Sequence, residues 1–209
     1  MLQSYEDLND VHVDALSEIG NIGVGNAATA FGMMLGENIN LSTPHVSIDD
    51  YHKVIDSIGG MEDIVAAVIV DYFGDISGSM VFAFPIKDAQ GIIAMLMGQD
   101  PDNTTDFHEF GELQISAIKE IGNILASSYL GSIAQMTGLL IDISIPYVSI
   151  DMLGAVMASP LAEYAATQNK VLFIEGSIST GSRDYATHMI MFSDMESLQA
   201  LIKRLGIEA

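Results

Sequence analysis

One pattern occurs twice in this chain of 209 residues, and any fold must accommodate the repetition. Asp14-x3-Glu18-x2-Asn21 is followed, after 22 residues, by Pro44; Ser116-x3-Glu120-x2-Asn123 is followed, again after 22 residues, by Pro146. Laid on each other without a gap, residues 14–49 and 116–151 share 15 identities in 36 positions, where average composition would give about two. Glu-Ile-Gly-Asn-Ile persists at 18–22 and 120–124, and Val-Ser-Ile-Asp persists at 46–49 and 148–151. A polar Glu/Asn pair that survives while its surroundings drift points to a role for the pair.

Each copy reads as the same series of elements. A helical run capped by Asn9 or Asp10 and stopped at Gly36 is matched by one led in by Asp106 and stopped at Gly138. Short β-like runs follow at Ile39–Leu41, Val46–Ile48, Ile141–Ile145 and Val148–Ile150. A short helix is expected over Tyr51–Ser57, with counterparts at Met152–Ala158 and Leu161–Ala166. Strand-turn-strand signals come next (Ile64–Tyr72 with Met80–Phe84, Val171–Ile178 with Tyr185–Phe192), and a helix closes each copy at Lys87–Met97 and Met195–Leu205. The order predicts an α+β fold with pseudo-twofold symmetry: two helix/strand repeats sharing a β-sheet core, with the motif helices exposed. We expect a single domain over 1–209, its repeats spanning about 8–98 and 110–206 and joined by an acidic connector, 99–109. Each half alone would have a thin core.

Twenty-eight acids against seven bases, a net charge of −21, argue against nucleic acid or anionic membrane as a partner. No apolar run approaches a membrane span, and no signal-peptide profile opens the chain. With no cysteine there is no disulfide framework and no thiolate chemistry. These features together predict a cytoplasmic protein with no membrane insertion.

On a helix, positions i, i+4 and i+7 fall within about 60° of one another. Asp14, Glu18 and Asn21 therefore form one polar ridge, as do Ser116, Glu120 and Asn123. Ala15, Ile19 and Ile22, with Ala117, Ile121 and Ile124, occupy the adjacent apolar arc. Gly20-x-x-Gly23-x-Gly25 imitates a phosphate loop but lacks the Lys-Ser/Thr and a preceding strand, and only its first glycine recurs, as Gly122. Gly20 and Gly122 are read as sites of close approach. Asp100-x-Asp102-x-Thr104-x-Asp106 fails as a calcium loop, with Thr105 at the sixth position and Gly111 at the twelfth. The histidines (12, 45, 52, 108, 188) lack ligand spacing and read as surface or structural residues, and no serine sits in a nucleophile context.

A carboxamide has no useful pKa, so it cannot act as a general base; it can position a water for attack on phosphorus. The substrate must then bring its own activated phosphoryl group and metal. A protein-borne acylphosphate fits, with the carboxylate gripping a lysine of that partner.

[Asp/Ser]-x3-Glu-x2-Asn-x22-Pro, present twice, resembles the motif of the CheC family of chemotaxis phosphatases over essentially the whole chain. The resemblance implies hydrolysis of the phosphoaspartate of the response regulator CheY. Asn21 and Asn123 would enter the regulator's active site and orient the water, while Glu18 and Glu120 would pair with its lysine. Asp14, Ser116, Pro44 and Pro146 would support the motif. Magnesium would belong to the regulator, with no cofactor on this chain. The family also implies a second partner, CheD, docking near the second proline; the copies diverge there, and Asp151, Gly154, Ala155 and Val156 are the candidate contacts. The alternative is a non-catalytic adaptor for CheY-phosphate or CheD. Flagellar-switch relatives carry an extra regulator-binding peptide and switch domain, for which this chain is expected to have no room.

Overall fold

A computed structural model describes residues 5–35, 39–42, 45–100, 110–164, 170–180 and 183–207. After a 3-10 turn at Tyr5–Asp7, the elements are α1 (Asp10–Leu35), β1 (Asn40–Leu41), β2 (His45–Asp50), α2 (Tyr51–Ile58), β3 (Ile64–Gly74), β4 (Gly78–Pro85) and α3 (Ile86–Leu96). The second copy gives α4 (Glu112–Thr137), β5 (Ile141–Ile143), β6 (Tyr147–Met152), α5 (Leu153–Tyr164), β7 (Lys170–Thr180), β8 (Arg183–Ser193) and α6 (Met195–Arg204). The mixed helix/strand architecture and its repetition agree with the sequence reading.

Local chemistry explains where the long helices begin and end. The Asn9 carboxamide oxygen accepts from the backbone N–H of Val11 at 3.1 Å and of His12 at 3.3 Å, while His12 Nδ1 accepts from the Asn9 N–H at 3.0 Å. This is a reciprocal cap in which a histidine takes the place usually held by glutamate. Gly138 stops α4 in the left-handed conformation, φ 71°, and its N–H donates to the Ala134 carbonyl. The helix starts from Gly111 without a side-chain cap; Asp106, like Gly36, lies outside the described residues.

One expectation needs correction. The two short helices anticipated after β6 are one, α5, with Pro160 inside it. The proline forfeits a hydrogen bond to Val156. The loss is offset because Leu153, Val156, Met157 and Pro160 are all buried along the face that packs on the sheet.

Among the described residues eight strands form one antiparallel sheet, ordered β1-β7-β8-β4-β3-β5, with β2 also paired to β7 and β6 to β3. The halves meet along β4 and β8, where Gly78 stands opposite Ser193 and Ala83 opposite His188. The edges are exchanged. β1 and β2 of the first copy border β7 of the second, and β5 and β6 of the second border β3 of the first. The registers match: Ile48 faces Leu172 just as Ile150 faces Ala66. One sheet face packs under α1, α3 and α4 through residues such as Val68, Phe82, Phe84, Ile174 and Met191. The other packs under α2 and α5 through Val65, Ala67, Val81, Phe173 and Ile190. With both faces covered, β4 is buried from Gly78 to Phe84, which is why it reads as a continuous apolar run.

Candidate active site

α1 and α4 carry the two ridges and lean on each other as well as on the sheet. Beneath the ridge of α1 lie Leu16, Ile19 and Gly20, all buried; beneath that of α4 lie Ile118, Ile121 and Gly122. Ala15, Ile22, Ala117 and Ile124 of the apolar arc are only half-buried, because the core seam runs one position round from the expected one. Asp14, Glu18 and Asn21 are exposed, and so are Ser116 and Glu120; Asn123 is half-buried. Among the described residues no hydrogen bond or ion pair engages the side chains of Glu18, Asn21, Glu120 or Asn123. Each site thus presents a carboxylate and, one turn later, a carboxamide, both with their hydrogen-bonding capacity unspent.

The glycines next to these side chains set the closeness of packing. A Cβ on Gly122 would come within 2.4 Å of the Val68 side chain, so α4 lies directly on β3. A Cβ on Gly23 would meet Tyr129 Cα at 3.0 Å, and three residues on, Asn26 Nδ2 donates to Ser132 Oγ at 3.3 Å. Tyr129 and Leu125 of α4 correspond to Ala27 and Gly23 of α1, so the helix pair is locally asymmetric. A cavity of about 50 Å3 opens there, lined by Gly20, Gly23, Phe82, Leu125, Tyr129 and Met189 among others. The Tyr129 hydroxyl has no hydrogen-bond partner among the described residues, and burial pushes its pKa well up. The Gly23/Leu125 and Ala27/Tyr129 mismatches are the only sign of this asymmetry in the sequence.

The remaining candidate residues are dispersed. Pro44 lies outside the described residues. Pro146 is half-buried in the link between β5 and β6, beside Ser144, whose N–H donates to the Asp71 carbonyl at 2.8 Å. At the corner from β6 into α5, Asp151 is exposed and its carboxylate accepts from the Met152 N–H at 2.7 Å. The Gly154 N–H donates to the Met61 carbonyl at 2.9 Å, and a Cβ on Gly154 would sit 3.1 Å from that oxygen. Ala155 is exposed, but Val156 is buried among the residues that hold α5 to the sheet. Its side chain is therefore not offered to a partner.

Of the histidines, His12 serves the α1 cap, His45 and His52 are exposed, and His108 lies outside the described residues. His188 is buried and stacks on Phe173 at 6.0 Å, yet its Nδ1 has no hydrogen-bond partner among the described residues. Burial lowers its pKa, against the opposing pull of Glu175 and Asp88. No cluster of metal-ligating side chains occurs among the described residues, and no helix there is long and apolar enough to cross a membrane.

A model of the CheC-like family matches residues 11–48 and 113–150, the two segments that carry the ridges. The chain is 34% identical over 206 residues to the CheY-P phosphatase CheC of Bacillus subtilis, covering 97% of both chains. It is 30% identical over 145 residues to the flagellar motor switch phosphatase FliY of the same organism, covering 69% of this chain and 37% of FliY. Among solved structures, Thermotoga maritima FliY superposes with a TM-score of 0.75 at 23% identity, covering 96% of this chain and 98% of that one. The CheX–CheY–BeF3–Mg complex of Borrelia burgdorferi contains a chain that matches with a TM-score of 0.54 at 16% identity, covering 87% of this chain and 97% of that one.

Proposed function

The chain belongs to the CheC-like family, and from that premise we propose that it is a chemotaxis phosphatase hydrolysing the phosphoaspartate of a CheY-type response regulator. The observation that carries the reading is the doubled ridge: Glu18 with Asn21 and Glu120 with Asn123, at equivalent positions of two packed helices. Such a ridge can be inserted into a partner's active site as a unit. The carboxamide oxygen of Asn21 or Asn123 accepts a hydrogen bond from a water and aims its oxygen at phosphorus, opposite the aspartyl oxygen. The bond from phosphorus to that oxygen breaks, releasing inorganic phosphate and the free carboxylate. Glu18 or Glu120 pairs with the regulator's lysine and fixes the approach. Magnesium is supplied by the regulator together with its phosphoryl group. A substrate of this kind places the protein's action in the cytoplasm.

We propose further that CheD meets the corner around Asp151, Gly154 and Ala155, and modulates activity from there. The counterpart corner of the first copy leads into a shorter helix, α2 having 8 residues against the 12 of α5.

The test is the decay of purified regulator phosphoaspartate. The doubly substituted Asn21→Ala/Asn123→Ala protein should leave the spontaneous rate unchanged, whereas the unsubstituted protein accelerates it. Its thermal midpoint should hold, because neither carboxamide is tied to the fold. Equal acceleration by both proteins rules out the mechanism, and binding of the phosphorylated regulator without any acceleration makes the chain an adaptor.

A further inference from the structure

Val11 and Leu113 are exposed aliphatic residues in the first turns of α1 and α4, with 59% and 64% of their surfaces accessible. Single exposed hydrophobes are common and need no explanation. These two occupy the same place in the duplication, 102 positions apart, three residues ahead of Asp14 and Ser116. Each also lies in phase with the ridge that follows. Val11, Asp14, Glu18 and Asn21 are spaced three, four and three residues apart, which keeps all four within about 80° of helix surface. Leu113, Ser116, Glu120 and Asn123 repeat the arrangement. The acids Asp10 and Glu112 flank the aliphatic residue in each copy. Met34 and Met136 form another matched exposed pair, but they lie about 20 Å along the helix from the asparagines, outside a footprint centred on the motif.

We infer that Val11 and Leu113 are specificity-determining docking residues, each covered by an apolar spot on the phosphorylated regulator when its ridge engages. This rests on the phosphatase reading above. The chemistry of the surface favours that occupant. The acids on and beside each ridge (Asp10, Asp14 and Glu18; Glu112 and Glu120) give electrostatic attraction to a lysine-bearing site, but exposed ion pairs contribute little net affinity. An aliphatic anchor at the end of the same ridge adds affinity independent of charge and fixes the register in which the asparagine arrives. The side chain touches neither water nor phosphorus, so it acts on binding and leaves the chemical step alone.

The experiment compares steady-state dephosphorylation of the regulator by the unsubstituted protein and by Val11→Gln/Leu113→Gln. Glutamine keeps helix propensity and removes the apolar contact. KM should rise on the order of tenfold, the effect of leaving one aliphatic side chain uncovered, with kcat within about twofold. The conservative exchange Val11→Leu/Leu113→Val should keep the original KM. Thermal midpoints should agree across all three proteins; a purely structural role would move the midpoint and spare KM. An unchanged KM in the glutamine variant overturns the inference while leaving the phosphatase reading intact. Absence of acceleration by the unsubstituted protein overturns both.

Discussion

At Gly122 one missing carbon decides how closely α4 lies on the sheet, because Val68 occupies the space that a Cβ would need. Gly25 is the opposite case, an exposed helical glycine with nothing within 4 Å of the place a Cβ would take. The two should respond to the same substitution with opposite sign. Gly122→Ala should cost about 1–3 kcal/mol by forcing helix and strand apart, and Gly25→Ala should gain up to about 1 kcal/mol from helix propensity. Urea midpoints of the two variants check this, and a Gly122→Ala protein as stable as the original refutes the packing account. The same scale shows what could be read from the chain. The phase of Glu18 and Asn21 on an exposed face follows from helical periodicity alone. The contact of Tyr129 with Gly23 does not, since it joins residues more than a hundred positions apart through a shape match that no local pattern encodes.

The strands and hairpins were legible because both signals are local: β-branched runs, and turn residues between them. The helix through Pro160 was not. A proline weighs against helix in any local reading, and only the burial of α5 against the sheet reverses the balance. The corner from β6 to α5 is also where the two copies differ most as elements. Asp151 there is held by its bond to the Met152 N–H and remains exposed. Reversing its charge with Asp151→Lys should weaken CheD binding by about tenfold or more, by introducing repulsion or an unpaired charge at the contact. Asp151→Asn keeps an acceptor for the Met152 N–H and so separates the loss of charge from damage to the corner. Titration of CheD against both variants measures the effect. Affinity unchanged in Asp151→Lys would remove the corner from the interface.

For the whole molecule, the repeats predicted a symmetric fold but not which copy borders which. Both sheet edges accept nearly the same strand, since Val-Ser-Ile-Asp stands in β2 and again in β6. That shared tetrapeptide therefore carries no instruction about which edge each strand takes. Neither half owns a complete sheet. Fragments 1–100 and 110–209, made separately, should each lack a cooperative thermal transition, and mixing them should restore one whose midpoint rises with concentration. Circular dichroism melts of the fragments and of their mixture decide the point; a cooperative melt of residues 1–100 alone would contradict it.

The exchanged edges also bear on ancestry. A single-repeat forebear with this strand arrangement would leave β3 without its border until a second copy supplied one, so it would live only as a pair. Fusing two such genes would turn an encounter between molecules into a tether, at an effective concentration on the order of millimolar. With each half guaranteed its partner, two copies in one chain are free to differ, as Gly23 differs from Leu125 and Ala27 from Tyr129, without either having to fit a copy of itself.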